Sequence, residues 1–235
     1  MDTIVLLIAV VVGLVALELL GMRAYRRHRA RKAAAFTREN VGAVYDDLQA
    51  ARAHCLAEKR AYGMLADAAR AGGRAQDGAV LDALADGERA HLAAIEDFRG
   101  PLHAESVDPA SRPPLPTSLD DALREVAVRA DAWSTGPCRD AAARARVHGH
   151  RDIARLYRQL QEVEQAAACL CLDLAEGARP AEPLSRCPSC GLIVAGRRPA
   201  FCTVCTKPGF EFEDVEVSAT AAADEAARPV SGSAA

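Results

Sequence analysis

Residues 78–99 read GAVLDALADGERAHLAAIEDFR. Leu81, Leu84, Glu88, His91, Ile95 and Phe98 recur at helical spacing and fall on one stripe. Gly100-Pro101 stops the helix that this pattern predicts. Four of the six stripe residues are apolar, as a core-facing surface requires. Glu88 and His91 are not, and they are three residues apart on that same face. An ionised carboxylate in a core is costly unless it is paired or bound to metal. The stretch therefore predicts a buried helix that carries chemistry in its middle.

Three further helices surround it. Segment 38–72 places Val41, Val44, Leu48, Ala51, Cys55, Tyr62 and Leu65 near one stripe and ends at Gly72-Gly73. Segment 118–147 opens at the capping residue Ser118 and carries Leu123, Val126, Ala130 and Trp133, with a kink or break expected at Gly136-Pro137. Segment 150–176 carries Ile153, Leu156, Tyr157, Leu160, Glu164, Ala167, Cys171 and Leu174. Short connections make the first two helices one antiparallel hairpin and the last two another. The Pro- and Ser-rich residues 100–117 join the hairpins. Some 18 residues can extend over about 55–60 Å, longer than the roughly 33 Å of a 22-residue helix. The fold class expected is mainly α, a four-helix bundle with one long crossover.

Bundles that bind two irons take a Glu from each of two helices and Glu-x-x-His from each of the other two. Glu88-Arg-Ala-His91 is one complete copy, and Glu164-Gln-Ala-Ala167 is a second with its His replaced.

Cys187-x2-Cys190-x11-Cys202-x2-Cys205 follows the bundle. Two such knuckles bring four thiolates into tetrahedral reach, a set that suits Zn or a single Fe. Cys55, Cys138, Cys169 and Cys171 lack such spacing and read as core packing.

Ile4–Leu20 reads IVLLIAVVVGLVALELL, with Glu18 its one charge, and Arg23, Arg26, Arg27, Arg29, Arg31 and Lys32 follow it. That order is the reverse of a cleaved signal and predicts a single transmembrane helix with the bulk of the chain cytoplasmic. The expected location is the cell membrane. Eight cysteines in a reducing compartment then point to metal or packing rather than disulfides. A net charge of −3 excludes a generally basic nucleic-acid binder. The domains expected are a membrane anchor at 1–22, a basic juxtamembrane segment at 23–37, the bundle at 38–178, the four-cysteine module at 183–215 and a disordered tail at 216–235.

A ferritin-like bundle with Glu-x-x-His, followed by a four-cysteine module, resembles the rubrerythrin family. Cys187-Pro-Ser-Cys190-Gly191 looks like a rubredoxin-type knuckle, and Pro199, Pro208 and Phe212 stand where rubrerythrin tails carry them. Glu88-Arg-Ala-His91 and Gly149-His-Arg-Asp-Ile-Ala154 resemble the family's second and fourth helices, and Tyr62 its first-helix Tyr. The chain departs from the family in several places. Thr206 follows the fourth Cys where Gly is common. The first-helix Glu falls on Cys55, with Glu58 one turn later. The third-helix carboxylates fall near Ala130 and Trp133, with Asp131 adjacent. The fourth-helix His falls on Ala167. Glu88, His91 and Glu164 remain. They can hold one metal, form a buried hydrogen-bonded cluster, or keep two metals with substitutes such as Glu58.

The resemblance implies an electron-transfer protein working through a four-cysteine iron, with peroxidase activity weak or absent. It also implies a homodimer and a redox partner protein. The alternative is a non-enzymatic scaffold with a structural zinc ribbon and a metal-free bundle.

Overall fold

The structure is a computed structural model that describes Glu18, residues 20–25, Arg27 and residues 42–99, 118–178 and 183–216. Among the described residues, five α-helices between 43 and 175 precede a small sheet. They are α1 (Ala43–Ala71), α2 (Ala75–Arg99), α3 (Leu119–Trp133), α4 (Arg139–Val147) and α5 (Arg151–Ala175). The strands are β1 (Leu184–Arg186), β2 (Ile193–Ala195) and β3 (Glu213–Asp214), in antiparallel order β2-β1-β3. The crossover residues 100–117 lie outside the described residues, as does nearly all of the tail.

The expected transmembrane helix is corrected. Among the described residues no helix is long and apolar enough to cross a membrane. Of Ile4–Leu20 only Glu18 and Leu20 are described, and the remainder of that run lies outside. The run sits at the lower length limit for a span, and it contains a carboxylate that hydrocarbon disfavours. The cell-membrane location rested on that span and is withdrawn with it.

The helices pair as the loop lengths require. Arg74 N–H closes the end of α1 on the Ala69 carbonyl at 2.8 Å, and α2 begins at once, three residues earlier than its stripe suggests. Arg52 meets Glu96 at 3.6 Å, while Gly78 packs beside Ala66, so α1 and α2 run antiparallel. Ser118 caps α3 by accepting from the Asp121 N–H. The expected break at Gly136-Pro137 is absent. Ser134–Cys138 forms one π-helical turn that joins α3 to α4 without interruption. Proline lacks the N–H that a tight turn needs, and its ring crowds the preceding carbonyl, so a widened turn accommodates it. The Ser134 and Thr135 hydroxyls both donate to the Asp131 carbonyl, at 2.9 and 2.8 Å.

The interior is layered. One apolar cluster gathers Tyr62, Leu65, Leu81, Leu84, Leu123, Val126, Cys171 and Leu174 at one end. The other gathers Val44, Leu48, Ile95, Ala141, Ile153 and Leu160 at the opposite end. Between them in sequence, on α1, α2 and α5, lie Glu58, Glu88, His91 and Glu164, with His54 beside Cys55, all buried. A polar belt thus crosses the middle of the bundle, with oil above and below it.

The four-cysteine module docks on that belt. Val163, next to Glu164, packs with Cys187, Cys190, Cys202 and Phe212. Leu184 and Ile193 join the first bundle cluster. Gly191 and Gly87 meet backbone to backbone: a Cβ on Gly191 would stand 2.6 Å from the Gly87 Cα. Only glycine permits such an approach.

Candidate metal centres

The four-cysteine centre is built by two matching knuckles. In the first, Gly191 N–H donates to the Cys187 carbonyl at 2.9 Å and Cys187 N–H to the Leu192 carbonyl at 2.8 Å. In the second, Thr206 N–H donates to the Cys202 carbonyl at 3.0 Å and Cys202 N–H to the Lys207 carbonyl at 2.7 Å. Each knuckle turns through a left-handed residue, Gly191 at φ 77° and Thr206 at φ 63°. That explains why glycine suits the position after the fourth cysteine. The sulfurs of Cys187, Cys190, Cys202 and Cys205 all lie within 4.8 Å of one another. Cys187 Sγ is 3.5 Å from Cys205 Sγ, and Cys190 Sγ is 3.6 Å from Cys202 Sγ.

Four sulfurs at van der Waals distance in this geometry can hold a cation as thiolates. Burial pushes the Cys187 thiol up to about 11, against the pull of the Cys190 and Ser189 N–H groups. Burial raises Cys190 as well. Cys205 is lowered: burial would raise it, but the Lys207 N–H and the neighbouring thiols outweigh that. Metal-free, the set shares its protons unevenly. A cation removes the conflict.

The belt holds a second cluster, and it is not the one the sequence suggests. Cys55, Glu88 and His91 offer a thiol, a carboxylate and an imidazole within 4.8 Å of one another, all buried. Glu164 stands apart from that trio, and its Oε1 lies 3.3 Å from His54 Nε2. Glu164 Oε2 has no hydrogen-bond partner. His54 stacks on Trp133, with centroids 4.3 Å apart and planes at 10°. Trp133 thus occupies the α3 face of the belt.

His91 joins the two centres. Its Nδ1 lies 3.2 Å from Glu88 Oε2, and its Nε2 lies 2.9 Å from the Cys190 carbonyl. Burial would lower the imidazole, but the Glu88 carboxylate raises it to about 9. Burial would raise Glu88, yet His91 and His54 hold it below the usual carboxylate range. Glu164 moves the other way, raised by burial and by Glu88. Burial and both carboxylates push the Cys55 thiol well up. Two belt carboxylates are therefore driven apart, one ionised and one inclined to keep its proton.

The substitutes that could restore a second metal are engaged elsewhere. Glu58 is fully buried and receives Arg129 at 3.3 and 3.4 Å, and Arg129 also holds Glu125 at 3.4 Å. Asp131 is exposed. Residue spacing gave no sign of His54 as the neighbour of Glu164, or of Arg129 as the cation facing Glu58.

A helical bundle with a polar belt and a tetrathiolate module seated on it can be compared with solved structures. Fully reduced, all-ferrous nigerythrin superposes with a TM-score of 0.66 at 22% identity, covering 74% of this chain and 87% of that one. Its mixed-valence state gives 0.63 at 23% and its partially reduced state 0.66 at 22%, with the same coverage. The fold is that of a rubrerythrin. No family model matches the chain, and no curated protein matches it significantly. The rubrerythrin resemblance read from the knuckles and from Glu-x-x-His is thus carried by architecture, across most of both chains.

Proposed function

We propose that the protein is a rubrerythrin-like metal-binding redox protein that moves single electrons between its four-cysteine centre and the bundle interior. The observation that carries this reading is the 2.9 Å bond from His91 Nε2–H to the carbonyl of Cys190, a cysteine of the tetrathiolate. Iron bound by Cys187, Cys190, Cys202 and Cys205 supplies a one-electron ferric–ferrous couple, and nigerythrin is an iron protein in its all-ferrous state. His91 keeps its Nε2 proton on that carbonyl and turns Nδ1 toward Glu88. The Gly87–Gly191 contact fixes the separation through main chain. Val163 and Phe212 pack with Cys187, Cys190 and Cys202.

In this reading the bundle, through Glu88, His91 and Glu164, takes at most one further metal. Trp133 stacks on His54, and Arg129 engages Glu58, the carboxylate that could have served a second metal, so peroxide reduction is weak or absent. The working unit is a homodimer served by a redox partner protein.

Aerobically purified full-length protein should be coloured by ferric tetrathiolate, with one such iron per chain, and dithionite should bleach it. Slow peroxide consumption with a donor is expected, and a two-chain mass at micromolar concentration. A colourless zinc protein would overturn the electron-transfer reading and leave a structural ribbon. Rapid peroxide turnover with three irons per chain would overturn the single-metal bundle.

A further inference from the structure

We propose that Cys55, Glu88 and His91 form a mononuclear, thiolate-containing site for a divalent ion of borderline softness, Zn(II) or Fe(II). This rests on the reading above only in that the bundle interior takes a metal. It replaces Glu164 with Cys55 as the third ligand and so changes the kind of centre.

The lone pairs make the argument. The Cys190 carbonyl can only accept, so His91 Nε2 carries the hydrogen of their 2.9 Å bond. In neutral imidazole Nδ1 is then a bare acceptor. It faces another acceptor, Glu88 Oε2, at 3.2 Å. Either a proton shared with Glu88 or a metal ion must lie between two such acceptors, and a metal bound to both atoms displaces that proton. Tetrahedral bonds of 2.0–2.2 Å put neighbouring ligand atoms about 3.3–3.5 Å apart, so the pair is already spaced as two ligands of one ion. Cys55 Sγ completes the trio within 4.8 Å.

Three further features fit. Metal-binding histidines characteristically donate their other ring N–H to a backbone carbonyl, which fixes tautomer and ring orientation. His91 does so. Thiolate plus carboxylate supply two negative charges, which balance a divalent ion in a buried site. The neighbourhood also contains polar atoms without partners, Glu164 Oε2 and the Tyr62 hydroxyl, each on a residue no more than 1% exposed. Three protein ligands leave a fourth position open to water, which these groups can face.

Cobalt(II) is the probe. Metal-free full-length protein should take up two equivalents under anaerobic conditions, both giving sulfur-to-cobalt absorption. Cys205→Ser removes the tetrathiolate signature and should leave one equivalent with a weaker single-thiolate band. Cys55→Ser should keep the tetrathiolate spectrum and lose affinity at the second site by more than about 100-fold, beyond the 10–100-fold that outer partners alone command. Cys55→Asp should keep two equivalents without the single-thiolate band, which separates loss of a ligand from loss of fold. Uptake of one equivalent by the wild type would overturn both the bundle metal and this assignment. Two equivalents of unchanged affinity in Cys55→Ser would overturn this assignment alone.

Discussion

The two centres are assembled from opposite kinds of information. The tetrathiolate takes its ligands from two loops, each closed by its own backbone hydrogen bonds within six residues. The bundle cluster takes Cys55 from α1 and Glu88 and His91 from α2, across 33 to 36 residues of chain. The first is dictated by spacing, and small modules of this kind draw their folding energy from a bound metal. The second is dictated by helix packing and exists whether or not an ion is present, because two oil layers hold the belt between them. Local construction thus yields a centre whose fold depends on its ligand. Distributed construction yields one whose ligand depends on the fold.

The sharpest way to break this contrast is to strip the metal. Replacing Cys202 by Ser, or chelating the module's ion, should unfold residues 183–216 while the bundle keeps its helical circular dichroism. Binding energy in such small modules is folding energy, on the order of 10 kcal/mol or more. Loss of helix in step with the module would mean that the two regions are one cooperative unit.

Next in size is the contact that couples them. Gly191→Ala puts a Cβ 2.6 Å from the Gly87 Cα and forces a side chain to φ 77°. A loss of about 3 kcal/mol is expected, through undocking rather than through loss of either centre. Denaturant unfolding should show it, with the tetrathiolate spectrum retained. Unchanged stability would place the module elsewhere on the bundle.

A smaller effect comes from pH in the metal-free protein. His91 is raised from 6.5 to about 9, so its charged form favours the folded state. That stabilisation is complete below pH 6.5 and is lost as pH rises through about 9, a change on the order of 2 kcal/mol. Glu88, held low, acts in the opposite sense and is lost on acidification. Thermal melts of apoprotein at pH 6.5 and pH 9.5 should therefore differ. His91→Asn should flatten the alkaline limb.

The smallest change should be a gain. Thr206 is β-branched and sits at φ 63°, where glycine is unstrained. Thr206→Gly should stabilise the module by about 1 kcal/mol. Slower metal loss to a chelator would register it, and faster loss would reject the strain.

These asymmetries also explain what the sequence disclosed. The tetrathiolate was legible because Cys187 through Cys205 carry their geometry in their spacing. Glu88 and His91 were legible because three residues along a helix share a face. Cys55 read as packing, since its partners lie on another helix. The same test that exposed Glu88, a polar residue on an apolar stripe, would have exposed Glu58 between Cys55 and Tyr62. His54 and Arg129 sit one position off the stripes that were followed, and only the packed structure places them on Glu164 and Glu58. The apolar N-terminal run misled because its hydropathy and flanking charges read as a span, whereas no described helix is long and apolar enough for one.

The π turn at Ser134–Cys138 bears on ancestry. A widened turn holds one residue more than its α-helical counterpart, and one residue is worth about 100° of rotation. Everything downstream in α4 is turned by that amount relative to a helix one residue shorter, and Ala141 and Ala145 are the buried residues of α4. A lineage that lost this residue would present arginines to the interior. An alignment drawn without a gap here would assign every position on one side of Pro137 to the wrong neighbour. Sequences compared across this helix are therefore to be matched separately on either side of that proline.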